Sequence, residues 1–545
     1  MPPLTLTCPS RPVSLRGAPP GPAARAPGPR PAVGRREETP MTAQPSAPPP
    51  SGRTRGHLGR RVLGSGAGIA LACLLATRFA PALPAAAAEQ AAVCDIRCDA
   101  QDPATATSDR TPVTTTLYGR TVSLHLSDND VMGWASIDGG QAGDEVWLDR
   151  SFDGGKSWSS GSRLGATKIP SGSTAWRSQM YNVDDWNNAG VGALRACARA
   201  GDRAEIACTG WARNNRNAGT RSTAAATALM MLYDRDTGLF ESNGWWTSAN
   251  ALTAVIDNSR ISGLGSYKYA IARTYDKNID AQGGDFTNEY LDDTGWWGLA
   301  WIAAYDATGD SRYLNTARAD ADHMHDYWTT GQCGGGVLWN QNKTYKNAIT
   351  NELYLQLTAA LHNRVKGDTT YLQRAEDEWA WFQKSGMINS SHLINDGLDD
   401  NCANNGQQTW TYNQGVILGG LAELHRATGD NALLTTARQL ADASTGAQAL
   451  NPDGILREPG ESDACGGDGP SFKGAYVRGL GKLDVALAGH PYSAYLDRQA
   501  AAAGSKDVDP LGMYGPHWNG PRTTVASGHG CQHSALDLLN AAQAD

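Results

Sequence analysis

Apolar positions along this chain follow two rhythms. Between residues 93 and 213 they alternate or run in short blocks broken by Gly, Asp and Asn; after residue 214 they recur every three to four residues. In the first region, residues 121–126 (Thr-Val-Ser-Leu-His-Leu) and 145–149 (Glu-Val-Trp-Leu-Asp) predict strands by their β-branched and apolar content. Residues 193–200 and 204–211 are Ala-rich, and their pairing rests on the Gly201-Asp202 turn between them. Together these stretches predict a small all-β, sandwich-like domain over 93–213.

The second region predicts helices, beginning with the Ala-, Leu- and Met-rich stretch 223–233. Three apolar helical stretches, 297–306, 353–363 and 416–427, are each followed by a Gly-Asp pair, at 309–310, 367–368 and 429–430, and then by another helix. Gly in that position ends one helix and Asp caps the next. The glycines are spaced by 58 and 62 residues. A repeat of that period over 215–545 predicts about six helical hairpins. Closed into a ring they form an all-α (α/α)6 barrel. An open solenoid would need polar capping repeats, and neither end is marked as one.

The leader departs from both rhythms. Residues 1–52, rich in Pro, Ala, Gly and Arg, are expected to be disordered or to precede a true start at Met41. Residues 53–88 read as a signal peptide: Arg53, Arg55, Arg60 and Arg61 precede an apolar run at 62–77, and small residues at 85–88 offer cleavage sites. The Arg60-Arg61 pair leaves twin-arginine export open beside the general route. Beyond residue 88 the chain has 36 basic and 53 acidic residues, a net charge of −17. Such a surface disfavours nucleic acid and anionic membranes but not neutral sugars. Eight cysteines remain there, an even number that suits disulfides after export. Cys197 and Cys208 lie equally far from the turn at 202–203 and are expected to pair. Cys94–Cys98 is possible by proximity, and the pairing of Cys333, Cys402, Cys465 and Cys531 stays open. No metal or other cofactor is expected, on the reading that no CxxC pair and no HxxxH at helical spacing suggests zinc, His323 and His325 being two apart.

Within the β region, Ser151-Phe-Asp-Gly-Gly-Lys-Ser-Trp158 fits the Asp-box pattern found in sialidase-like propellers. Propellers repeat their motif and this one stands alone, so it reads as a single hairpin turn. Trp147, Trp158, Trp176 and Trp186 could serve as sugar platforms or as core. The chemically unusual stretch is 288–302, where Asp292-Asp293 precedes Trp296, Trp297 and Trp301. Adjacent carboxylates near large aromatics raise one pKa, and so supply a proton donor and an anion from one residue type. Taken alone, Asp-Asp before a helix is a cap. Polar clusters at 346–352, 395–397, 411–415 and 472–474 also open or precede helices, and would line one mouth of a ring.

Several of these stretches in order resemble glycoside hydrolase family 76, the secreted endo-α-1,6-mannanases. The residues carrying the resemblance are Gly244-Trp-Trp-Thr-Ser-Ala-Asn250, Leu291-Asp-Asp-Thr-Gly-Trp-Trp297, Lys346-Asn-Ala-Ile-Thr-Asn-Glu352, Tyr412-Asn-Gln-Gly415 and Phe472-Lys-Gly474. It covers about 215–545 and omits the β domain. The resemblance implies an (α/α)6 fold and a retaining mechanism with Asp292 as nucleophile and Asp293 as general acid/base, their carboxyls about 5 to 5.5 Å apart. Trp246, Trp296, Lys346, Asn347, Asp396, Tyr412 and Asn413 become candidates for substrate contact. The expectation is a secreted, extracellular monomer cleaving α-1,6-mannan. A mannan transglycosidase and a non-catalytic carbohydrate-binding surface protein are the alternatives.

Overall fold

The computed structural model describes residues 98–185, 190–216, 219–240, 244–522 and 528–543. The expected leader (1–52 and 53–88), Cys94 and Trp186 lie outside the described residues.

The β region is two antiparallel sheets built from β1 (Arg110–Leu117), β2 (Arg120–Ser127), β3 (Met132–Asp138), β4 (Glu145–Ser151), β5 (Leu164–Lys168), β6 (Trp176–Arg177), β7 (Tyr181–Asn182), β8 (Ala193–Arg199) and β9 (Ile206–Cys208). One sheet runs β1-β2-β3-β6, with β7 also on β3; the other runs β5-β4-β8-β9. Alternate residues of β2 (Val122, Leu124, Leu126) meet Val146, Leu148, Leu194 and Ala196 of the facing sheet, so the two-residue period of the sequence becomes the sandwich core. The stretch expected as a strand at 204–211 shrinks to β9. Its register sets Cys197 opposite Cys208, and the two are joined with Cα atoms 4.0 Å apart. The Asp-box is a turn after β4. Ser157 N–H donates to Asp153 at 2.9 Å and Gly155 sits at φ +92°, a conformation open to glycine.

The helices are α1 (Arg221–Met230), α2 (Trp245–Ser262), α3 (Tyr269–Asn278), α4 (Leu291–Thr308), α5 (Ser311–His325), α6 (Ala348–His362), α7 (Thr370–Phe382), α8 (Thr411–Thr428), α9 (Asn431–Gly446), α10 (Gly469–Ala486), α11 (Ser493–Lys506) and α12 (His529–Ala541). Even-numbered helices pack in sequence, α2 on α4 and so on to α12, and α12 returns to α2. The ring is therefore closed, which excludes the open solenoid. Odd-numbered helices lie outside it. From α3 on, each buries one stripe, as in α5 with Tyr313, Thr316, Ala317, Asp320, Ala321 and Met324, while α1 and the inner α4 bury most of their circumference.

The Gly-Asp junctions explain how each hairpin turns. Gly309 and Gly429 end α4 and α8 in the left-handed conformation, and Asp310 and Asp430 cap α5 and α9. The middle junction differs. Helix α6 stops at His362, Gly367 comes later in a longer turn, and Asp368 accepts from the N–H groups of Thr370 and Tyr371. Arg213 joins sandwich to barrel: buried, it donates to the carbonyls of Asn214, Ala224 and Leu511.

Candidate active site

Because inner and outer helices alternate, all six inner helices run the same way. Their N-termini, with the positive ends of their dipoles, gather at one mouth. Two disulfides tie down the loops there. Cys333–Cys402 links the segments leading into α6 and α8, and Cys465–Cys531 links the segment before α10 to the first turn of α12.

Asp292 and Asp293 are the second and third residues of α4, not its cap. The N-cap is Tyr290, whose side chain makes no capping bond. The loop at 339–341 holds this helix start: Leu291 N–H donates to the Trp339 carbonyl at 2.9 Å, and Gln341 N–H to the Glu289 carbonyl at 3.0 Å. That loop aims the Trp339 indole N–H at Asp292 Oδ2, 3.1 Å away, while the Asp293 backbone N–H donates to Asp292 Oδ1 at 3.1 Å. Asp293 Oδ2 instead accepts from the Asn288 amide at 2.6 Å. Burial and the Asp293 charge push Asp292 well above the ordinary carboxylate range. Burial pushes Asp293 up to about 6, with the charge of Asp468 acting in the same direction.

An aromatic wall borders one side of the pair. Trp246 stacks on Trp296 with centroids 5.5 Å apart, and Tyr412 stacks on Phe472 at 3.9 Å. Asp468, at the start of α10, accepts from the Trp246 indole at 2.9 Å. This wall flanks a cleft of about 540 Å³ that reaches Glu458 and Lys473. On the other side a cleft of about 600 Å³ is lined by Asn288, Tyr290, Asp293, His323 and Gln341. Asp293 lines this second cleft, and Asp468 and Tyr412, which line the first, lie close enough to feel the charges of Asp293 and Asp292.

The substrate-contact candidates separate on this geometry. Trp246, Tyr412 and Asp396 are half-buried at the mouth. Asp396 accepts from Tyr345 and from the Trp410 indole, and burial with nearby Asp292, Asp396, Glu352 and Glu458 holds the Tyr412 phenol neutral. Trp296 is 3 % exposed and backs Trp246, so it offers no free face. Lys346 spends its ammonium on the carbonyls of Thr329, Gln332 and Gly335; it clamps a loop and has no donor left for a sugar. Asn347 is the N-cap of α6, accepting from Thr350 N–H. Asn413 is fully buried with neither end of its amide hydrogen-bonded.

Asn288, Trp339, Asp468 and Trp410 were given no site role from the sequence. Asn288 lay five residues before Asp293 and Trp339 lay just behind the Gly334-Gly-Gly336 run, so both signals were present but not convergent. His529 and His533 have the i, i+4 spacing of a metal pair, which the sequence reading also passed over. They are buried, held neutral, and face each other at 3.3 Å; among the described residues no third ligating side chain joins them. Asp149 lies beside Cys197 and Cys208, but a disulfide sulfur is not a thiolate ligand.

The comparisons with known proteins agree with this architecture. The family model of glycosyl hydrolase family 76 matches residues 218–545. The mannan endo-1,6-alpha-mannosidase DCW1 of Saccharomyces cerevisiae is 28 % identical over 339 residues, 56 % of this chain and 74 % of that protein. The mannan endo-1,6-alpha-mannosidase DFG5 of the same yeast is 29 % identical over 280 residues, 46 % of this chain and 60 % of that protein. Among solved structures, an inactive variant of the alpha-1,6-mannanase GH76A of Salegentibacter sp. HEL1_6, in complex with alpha-1,6-mannotriose, superposes with a TM-score of 0.54 at 22 % identity. The match covers 59 % of this chain and 98 % of that one, and speaks to the fold. With the closed ring of six hairpins, the tandem aspartates at its mouth and a family match over three-fifths of its length, this chain belongs to glycosyl hydrolase family 76.

Proposed function

We propose that the chain is a secreted, retaining, endo-acting glycoside hydrolase that cleaves α-1,6-mannosidic bonds in mannan. The observation that carries this reading is the buried carboxylate pair at the start of α4, each acid held by a different donor and Asp293 opening on a cleft. Asp293 gives its proton to the bridging oxygen as Asp292 attacks the anomeric carbon. The glycosidic bond breaks and a mannosyl ester forms on Asp292. Asp293 then takes a proton from water, which attacks the same carbon, breaks its ester bond to Asp292, releases that carboxylate and restores the original configuration. Two N–H donors and the positive end of α4 favour an anion at Asp292, whereas Asp293 meets one neutral amide. As the side chains stand, burial holds Asp292 the higher of the two, the reverse of the order these roles need. The two titrate as one pair that keeps a single proton. A bridging oxygen accepting from Asp293 draws that proton to it. Trp246 supplies the stacking face, and Tyr412 and Asp396 the hydroxyl contacts. Three disulfides among the described residues support an oxidising compartment.

The test is product analysis on linear α-1,6-mannan. Short α-1,6-manno-oligosaccharides with new reducing ends and retained configuration are expected. Redistribution of chain lengths without new reducing ends would instead identify a transglycosidase, and no product at all a binding protein. The pair also sets a pH dependence. The reaction needs one anion and one proton, so kcat/KM should fall as pH drops through about 6, where the pair takes up its second proton. A profile flat down to pH 4 would contradict the assignment. Trp339→Phe removes a donor from the Asp292 anion. It should lower kcat roughly 10- to 100-fold, the worth of one hydrogen bond to a charged group, and move the acid limb to higher pH. An unchanged profile would show that the indole does not tune the pair.

A further inference from the structure

Of the sandwich tryptophans weighed as sugar platforms, Trp147 is buried under the Arg163 guanidinium, and Trp158 packs against Trp211 and Arg195. Trp176 is different: 44 % exposed, it is the one exposed tryptophan among the described residues. It sits on β6, the edge of one sheet, paired across to Ile137, so the indole stands on a fixed backbone. The edge of the other sheet, β5, lies alongside, since Gly165 packs against Ser178, Gln179 and Tyr181. Between the two edges runs an open cleft of about 830 Å³. Beside Trp176 it presents Arg177, Gln179, Thr167, Asp102 and Asp138. Arg177 is about half exposed and Asp102 mostly exposed, and they meet at 3.4 Å, leaving planar donor and acceptor groups at the rim.

An exposed indole offers a flat apolar face, and planar polar groups around it offer paired donors and acceptors. That combination matches a pyranose, which has a C–H face and vicinal hydroxyls. Two carboxylates against one guanidinium leave the cleft slightly negative, which turns away anionic polymers and nucleic acid. We propose that this cleft is a second carbohydrate site, which holds a neutral polysaccharide chain on Trp176 and so raises the concentration of polymer near the barrel. The choice of mannan as first probe rests on the proposed function; the site itself does not.

The test compares the full chain with Trp176→Ala and Trp176→Phe for retention on insoluble α-1,6-mannan and for turnover of soluble α-1,6-mannotetraose. Trp176→Ala should weaken retention roughly 5- to 10-fold, the scale of one lost aromatic contact, with tetraose turnover unchanged. Trp176→Phe should keep most of the retention. Equal retention of Trp176→Ala and wild type would overturn the proposal, as would parallel loss of turnover in that variant. If the wild type neither cleaves nor binds mannan, the functional reading fails on its own. Affinity gels of dextran, β-glucan and galactan then decide the site: retardation that depends on Trp176 keeps it, and equal migration ends it.

Discussion

Asp292→Asn is expected to cost mannan turnover about 10^4-fold or more, the scale of removing a nucleophile from a covalent mechanism. Asparagine keeps the shape and the acceptor oxygen toward Trp339 but cannot form the ester. Asp293→Ala should cost less on mannan, about 10²- to 10⁴-fold as for a general acid. It should also depend on the leaving group. With an α-1,6-mannobioside of nitrophenol no proton is needed for departure, so the first step survives, and added azide should speed the second by replacing activated water. The reverse pattern, azide rescue at Asp292 and none at Asp293, would exchange the two roles. Retention of more than a tenth of the rate in both variants would remove the pair from the mechanism. Misfolding is separable from these outcomes. Both carboxyls are held above their ordinary range chiefly by burial, so each is a costly group to keep ionised. Asp292→Asn exchanges such a group for a neutral amide and should leave thermal stability at pH 7 equal or higher, and Asp293→Asn should do the same as the fold control for Asp293→Ala.

The features legible in the chain were those carried by neighbours in sequence. The Gly-Asp junctions are local, and Gly309 and Gly429 end their helices as the pattern implied. The Cys197–Cys208 pairing followed from symmetry about one turn, and the structure has that disulfide. What escaped depended on distance or depth. Trp339 reaches Asp292 across 47 positions, and Asp468 reaches Trp246 across 222. Asp468 carries no mark of its role in its own neighbourhood, and the glycine run before Trp339 does not say what the indole reaches. Lys346 stood at a helix start among polar residues and looked available, yet three loop carbonyls consume it. A lysine behind a Gly-Gly-Gly turn is where free carbonyls accumulate, and that signal was readable. Trp296 is one turn beyond Asp292. Its burial follows from the place of α4 in the inner ring, where nearly every direction faces another helix. Helix period alone does not tell an inner helix from an outer one.

The Tyr412-Asn-Gln-Gly415 stretch also bears on stability, through how α8 meets α10. Gly479→Ala is expected to destabilise the barrel by about 3 kcal/mol, at the upper end of overpacking costs. A Cβ on Gly479 would overlap the Gly415 carbonyl oxygen and lie 2.6 Å from its carbon. A Cβ on Gly415 would overlap Tyr476 Cα and lie 2.8 Å from its carbonyl oxygen. These obstacles are backbone, which cannot swing away as a side chain can. Both glycines are mid-helix, so propensity alone would favour alanine by up to about 1 kcal/mol; the clash exceeds that gain and decides the sign. Gly446→Ala is the control. Its Cβ would meet nothing within 4 Å, so its melting temperature should hold or rise slightly. Gly479→Ala should melt roughly 6 to 12 °C lower, at about 2 to 4 °C per kcal/mol for a large domain. Melting within 2 °C of wild type would show that α8 and α10 can part without cost. Tyr412 lies one turn before Gly415 and rests on Phe472 of α10, so parting the two helices also moves the phenol relative to the aromatic wall. The variant should therefore lose turnover at temperatures where it is still folded, and a variant that melts early but turns over normally below its transition would uncouple the glycine contact from the mouth of the ring.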